Sequence, residues 1–313
     1  MNNFSFGLDP EFLLKNGNEC VSAIPIIGRD VHDPILENEH RFYWDNVLAE
    51  CAVKPSFSKE EAIHNIGDCI RIFSEIVAPA TLHTQASCNF DESQLQDQGA
   101  KEAGCQPDIC VYRMQLMMGE LSPSKQIAES NFRSCGGHIH IGHEILQQDG
   151  PESVFLIYLM DLFLGLPSIF IDVDPTSPER RTLYGQAGRF REKEYGIEYR
   201  SLGNFWLSSP KFVELIYDIC DFLVDFVQKQ DLLIWNEEIY WNLVENGEPT
   251  GEAFQFALFD KNQLKDCIDQ SDKKKGKQYL SLIEDKLPAN LYQSIQDFAK
   301  KKQPLNPYKE WSI

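Results

Sequence analysis

The sequence predicts an α+β protein built on an antiparallel sheet. Three observations carry that prediction. The first 145 residues are short strand-like runs broken by turn residues, amphipathic helices enter at irregular intervals, and no regular strand–helix–strand alternation occurs. The composition agrees: 42% hydrophobic and 25% charged residues over 313 positions exclude a disordered or collagen-like chain.

Taken in order, FSFGLDPEFLL opens the chain, VSAIPII follows, and RFYWDNVLAECAVKP continues the strand-like pattern. A helix is expected over SKEEAIHNIGDCIRIFSEIV, where Ser58 and Glu61 form a capping pattern ahead of apolar residues at helical spacing. LSPSKQIAESNF is a second candidate with weaker periodicity. PESVFLIYLMDLFLG and SPKFVELIYDICDFLVDFVQK are two more, the latter capped by Ser208 or Ser209. Val154–Val173 imitates a membrane span, but Asp161, Gly165 and Pro167 in its interior would be costly in lipid. It reads as a buried helix running into a buried strand. Asp174–Trp206 is polar and arginine-bearing, with strand-like alternation in its last third. Residues 230–313 read as largely helical and peripheral, with KKKGK and AKKKQ as solvated faces.

Charge narrows the partners. Lys and Arg number 29 against 48 Asp and Glu, a net charge of −19. Such a chain repels nucleic acid and anionic membrane, so neither is expected as a partner. An anionic ligand needs its own arginines and lysines, or metal ions. The nine cysteines are scattered without CxxC spacing, and MNNFSFGLDP lacks the shape of a secretory signal. Free thiols in a reducing cytoplasm are expected.

Three segments place ionisable groups at i and i+2, on one face of a strand. They are Asp9 and Glu11 after FSFGL, His138 and His140 in SCGGHIHIGH, and Glu198 and Arg200 in YGIEYRSL. Taken singly, each could be a solvent-exposed face. Together, embedded in apolar residues and flanked by glycine, they read as the lining of an interior. DNVLAE adds Glu50 on a further strand or turn, with Asn46 near it. Carboxylates with an imidazole suit hard divalent cations such as Mg²⁺ or Mn²⁺ and do not resemble a structural zinc site.

Residues 180–200 concentrate positive charge. Arg180, Arg181, Arg189, Arg191, Lys193 and Arg200 stand against Glu192, Glu194 and Glu198, in a chain with ten arginines overall. Arginine provides bidentate recognition of phosphate and carboxylate. Gly185, Gly188 and Gly196 would let this segment approach a ligand or move. The alternative is a surface loop neutralised by its own glutamates. No GxxxxGK[ST] or GxGxxG occurs, which excludes a simple P-loop or Rossmann site. His32, His40, His64, His83 and His143 read as structural or surface groups. Cys88 and Cys135 lack a paired base, and GCQPD reads as a tight turn from which Asp108 could reach a substrate amine.

The succession GLDPEF, DNVLAE, GCQPD, GGHIHIG and YGQAGRFREKEYGIEYRSLGNFW resembles the phage-type COOH–NH2 ligases (amidoligase type 2) of the glutamine synthetase and glutamate–cysteine ligase superfamily, over roughly residues 4–225. The resemblance implies a curved antiparallel sheet forming a catalytic cleft, with helices on its outer face, in a catalytic unit over residues 1–229. Residues 230–313 would be a mostly helical extension packed on it. It also implies ATP, Mg²⁺ and amide-bond formation through an acyl-phosphate. Carried over residue by residue, Glu11, Asp9, Glu50, His138 and Glu198 would hold metal. Arg189, Arg191, Lys193, Arg200 and His138 would face the nucleotide phosphates, the first three from a mobile loop. Arg200, Glu198 and His140 would act on the reacting groups, with His140 or a cleft carboxylate as general base.

The expected activity is therefore an ATP- and Mg²⁺-dependent carboxylate–amine ligase in the cytoplasm, of a host cell where a phage encodes it. Its substrates would be small-molecule or peptide carboxylates and amines. The rivals are a guanidino-kinase-like phosphotransferase, a degenerate ligase fold serving as a binding module, and a metal-dependent hydrolase using the H-x-H pair. The last has no use for the arginine cluster.

Overall fold

Alternation in the short strands decides the architecture. In FSFGL, Phe6 and Leu8 are buried while Ser5 and Gly7 point the other way; in HIHIG, Ile139 and Ile141 are buried against His140; in GIEY, Ile197 and Tyr199 flank Glu198. A computed structural model describes residues 4–101, 108–112, 115–116, 130–146, 150–229 and 260–313. It places these strands in one antiparallel sheet, with helices packed against its apolar side. The expected α+β class holds.

The strands are β1 Ser5–Leu8, β2 Glu11–Asn16, β3 Glu19–Val21, β4 Ile35–Glu37, β5 His40–Asp45, β6 Leu48–Ser56, β7 Thr81–His83, β8 Ser87–Asn89, β9 Ile109–Cys110, β10 Gln115–Leu116, β11 Phe132–Ser134, β12 Ile139–Gly142, β13 Arg189–Lys193 and β14 Gly196–Tyr199. The main sheet runs β10-β9-β13-β14-β12-β1-β6-β2-β3. β5 and β4 continue from β6, β7 pairs with β2, and β8 and β11 form a separate ribbon. The register aligns Gly7 with His140, His140 with Glu198, and Glu198 with Arg191. One row thus crosses four strands on a single face.

The helices are α1 Ile24–Ile27, α2 Lys59–Ile76, α3 Pro151–Met160, α4 Leu166–Ile171, α5 Ser177–Leu183, α6 Pro210–Gln228, α7 Lys261–Asp269, α8 Lys273–Leu282, α9 Ala289–Ala299 and α10 Pro307–Glu310. Helix α2 starts as its sequence dictates: Ser58 Oγ accepts from Glu61 N at 3.2 Å, and Glu61 reaches back to Phe57 N at 2.8 Å. Ser209 caps α6 by accepting from Lys211 N. Phe6, Trp206 and Tyr217 interlock between β1 and α6, and Phe12, Phe42 and Phe73 between the sheet and α2.

Four expectations need correction or placement. Only Val21 of VSAIPII lies in a strand, the end of β3; Pro25, at the start of a helix, turns Ile24–Ile27 into α1. The apolar run does not pass into a strand either. Helix α3 continues through a π turn, Asp161–Gly165, into α4, so helix persists to Ile171. The widened turn accommodates Pro167, which cannot donate a backbone hydrogen bond. Glu152–Ile171 is long and apolar enough to cross a membrane, but 94% of its apolar window is buried inside the protein. Finally, not all thiols are free. Cys20 on β3 is bonded to Cys88 on β8 across a separation of 68 residues, while Cys51, Cys69, Cys110, Cys135, Cys220 and Cys267 are free. Spacing alone cannot show a pair joined by the fold. The LSPSKQIAESNF candidate lies mainly outside the described residues.

Residues 260–313 are helical over α7–α10 and pack on the helical layer. Phe298 of α9 stacks on Phe212 at 3.8 Å between ring centroids. Trp311 donates to Leu207 O at 2.8 Å, and its ring lies over Gly67 of α2, where a Cβ would come within 2.9 Å. The boundary expected at 229/230 adjoins residues outside the description.

Candidate active site

The polar face of the sheet collects the ionisable pairs seen in the sequence. Strand alternation turns Glu198 and His140 away from the apolar layer, and the β1–β2 corner delivers Asp9 and Glu11 beside them. Asp9 is met from two sides: its Oδ1 lies 3.1 Å from His138 Nδ1 and 3.1 Å from His140 Nε2. Burial alone would raise the Asp9 carboxyl, but the two histidines outweigh it and hold the group well below its usual range. Burial and the Arg200 charge push His138 down to about 4, so it is neutral at pH 7. A side chain on Gly136 would collide with the His138 ring.

Donor atoms of Asp9, His140 and Glu198 all lie within 4.8 Å of one another, as do those of Glu11, Asp45 and Glu50. The structure thus brings Asp9 with Glu198 in one group and Glu11 with Glu50 in another. His140 completes the first, and His138 Nδ1 stands beside it, 3.1 Å from Asp9 and 3.7 Å from Glu198. In the second, Glu11 pairs across the ladder with Glu50, and Tyr43 opposite Glu50 donates to it at 2.9 Å. Gly136 N donates to Glu11 Oε2 at 2.5 Å. Burial, then the Asp45 charge, pushes Glu11 up to about 7. Burial, Asp45 and Glu11 together raise Glu50 well above its ordinary value. Ionised together, these three carboxylates would repel, and a hard divalent cation relieves that repulsion.

Asp45 is the member that sequence reasoning missed. Glu50 faces Tyr43, and Leu48 faces Asp45, so Asp45 lies two positions from Tyr43 on the same strand face. Reading the hairpin register outward from Glu50 would have found it. Asn46, expected near Glu50, instead builds the turn. It adopts φ +55°, donates to Ala100 O at 2.8 Å and accepts from buried Arg133 at 2.5 Å.

A row of cations borders these groups. Arg189, Arg191 and Lys193 occupy alternate positions of β13, so the expected mobile loop is a paired strand. Lys193 Nζ lies 2.7 Å and Arg191 Nη1 3.4 Å from Glu198, and Arg200 Nη1 bonds the same carboxylate. Glu198 is fully buried. Arg200 packs over the Tyr184 ring at 5.2 Å, and Arg189 Nη1 bonds Asp108 at 2.6 Å. Tyr195, at the β13–β14 turn, stacks on His140 and meets its Nδ1 at 2.5 Å. Gly196 makes that turn: at φ +148° it approaches Ile141 O where a Cβ would collide. Arg180 and Arg181 bond outside the row, although Arg180 shares the Tyr184 ring with Arg200. Arg180 braces the carbonyls of Cys135, Ser201 and Leu202, and Arg181 the hydroxyls of Ser168 and Ser271.

Fold and site define a protein that gathers two clusters of carboxylate and imidazole groups and a row of basic side chains on one sheet face. Residues 127–237 match the family model for the phage phiEco32-like COOH.NH2 ligase-type 2, which bears out the family resemblance over that stretch. It contains His138, His140 and the whole cationic row, whereas Asp9, Glu11, Asp45 and Glu50 precede it. Among solved structures, the crystal structure of a bifunctional glutathione synthetase from Pasteurella multocida is similar at 11% identity and a TM-score of 0.36, over 95% of this chain and 51% of that one. The chain spans about half the length of that protein, and at this level neither fold detail nor activity transfers. No curated protein matches the chain.

Proposed function

We propose that the protein is an ATP- and Mg²⁺-dependent carboxylate–amine ligase that works through an acyl-phosphate, on a sheet of the glutamine synthetase type. The observation that supports this reading is the adjacency, on one face, of two cation-donor groups and four basic side chains. A carboxylate is a poor electrophile because its leaving group would be oxide. Bound ATP and Mg²⁺ supply the phosphoryl group that activates it and the charge that neutralises the phosphates.

The chain's own residues do the rest. Glu11, Asp45 and Glu50 would offer three oxygens to one cation, and such an ion would relieve the repulsion among them. Asp9, His140 and Glu198 offer a second, mixed oxygen–nitrogen set. Arg189, Arg191, Lys193 and Arg200 pair with anionic oxygens as charge moves. Where the second cation takes only Asp9 and Glu198, His140, held between Asp9 and Tyr195, would receive the amine's proton. In this reading residues 1–229 form the catalytic unit and 230–313 its helical extension. The substrates are small or peptide carboxylates and amines, met in the cytoplasm.

Melting with ATP, with and without Mg²⁺, tests the proposal, because a ligand of the native state raises the melting temperature. A Mg²⁺-dependent rise supports it. No shift at millimolar ATP in either condition refutes the nucleotide site.

A further inference from the structure

The cationic row contains an anion of the protein's own. β9 pairs with β13 so that Cys110 stands opposite Arg189 and Ile109 opposite Phe190. The next position outward, Asp108, is thereby carried to the level of Arg191 at the margin of the row. One Asp108 oxygen accepts from Arg189 Nη1 at 2.6 Å, and the other stands 3.5 Å from Arg200 Nε.

The second contact is charge proximity without a hydrogen bond. Arg200 Nε has no hydrogen-bond partner among the described residues, although its side chain is only 2% exposed. A buried donor in that condition carries a free-energy cost that an arriving acceptor removes. Arg200 is fixed in place by Glu198 and by the Tyr184 ring, and Arg189 by Gln186 Oε1 at 2.8 Å. The fork between the two guanidinium groups is preformed, and Asp108 fills it incompletely.

We infer that Asp108 is an internal stand-in for a ligand's phosphate group and sets the charge that a ligand must bring. A monoanion entering the fork only replaces one carboxylate by another. A phosphate group brings more charge and more acceptor oxygens, one of which can reach Arg200 Nε, so it displaces Asp108. Asp108 thus sets a threshold: only a ligand that pairs with the fork more strongly than a carboxylate does displaces it. The inference deepens the ligase reading by giving its phosphate side a charge filter, and it rests on that reading only for the ligand being phosphate-bearing.

The test is calorimetric binding of inorganic tripolyphosphate, without divalent cations, to the wild type, Asp108→Asn and Asp108→Ser, with melting curves to show that each is folded. Asp285→Asn, which removes the same charge at an exposed position, controls for net charge. Both Asp108 variants should bind tripolyphosphate about tenfold more tightly, as expected for removal of one partly screened competing charge. They should also gain affinity for acetate, and the control should change neither. Equal or weaker binding in both folded variants, including no binding by any protein, overturns the inference. The ligase reading is decided separately by the Mg²⁺-dependent ATP shift in the wild type, so either can fail alone.

Discussion

Glu198→Gln is the most informative single substitution. The carboxylate is fully buried and faces Arg200, Lys193 at 2.7 Å and Arg191 at 3.4 Å. A glutamine keeps the shape and an acceptor oxygen but removes the charge that three cations share. At an effective dielectric near 20, one pair at 4 Å contributes roughly 4 kcal/mol. Lys193 is 29% exposed and Arg191 16%, so their shares are screened, and the buried Arg200 dominates. Breaking a buried pair by removing one partner costs about 3–5 kcal/mol. For a chain of this size that corresponds to a fall of roughly 10 °C in melting temperature. Thermal unfolding by circular dichroism, without nucleotide or metal, reads it directly. Adding Lys193→Met to Glu198→Gln should restore part of the loss. A change under about 2 °C in the single variant would refute the claim that Glu198 anchors the row.

The other predictions concern charge, geometry and packing. Burial pushes Asp161 up to about 7; its folded value lies above its unfolded one, so its favourable contribution is complete below about pH 4 and is lost as pH rises through 7. Asp161→Asn should therefore gain on the wild type by about 4 kcal/mol between pH 4 and pH 8; parallel melting profiles over that range would exclude this assignment. Glu11→Gln should weaken Mn²⁺ binding, followed by electron paramagnetic resonance, by about tenfold or more, and an unchanged affinity removes Glu11 from the cation site. Arg200→Lys should retain MgATP binding but slow ADP release by roughly tenfold or more, because a point charge cannot reproduce the fork; wild-type turnover would remove Arg200 from the chemistry. Gly67→Ala should displace Trp311, with a net cost of about 1–2 kcal/mol after the helical gain from alanine. Tryptophan fluorescence and melting report both effects, and unchanged emission would show that the ring is not seated there.

Much of this face was legible because alternation is a local property. His138 and His140, or Glu198 and Arg200, share a strand face wherever the strand lies. What remained hidden depends on register between distant segments. Asp45 joins Glu11 only because β5, β6 and β2 align, and Asp108 meets Arg189 across 81 positions through the β9–β13 pairing. The Cys20–Cys88 bond is hidden for the same reason. Pro25 and Pro167 misled in a different way. Each sits at the start of a helical turn, where its missing donor does little harm. The arginine-rich segment divided because Arg180 and Arg181 fall on a helix that aims them at carbonyls and serines, while the next three cations fall on a strand.

Strand β14 is a partition one chain thick between two chemically opposed compartments. On one side Glu198 belongs to a network of ions; on the other Tyr199 donates at 2.6 Å to Asp161 within the apolar helical layer. Insertion or deletion of one residue in this strand would exchange the two sides, setting an aromatic ring among the cations and a carboxylate against leucine and phenylalanine. The segment is therefore closed to length variation even where single side chains can change.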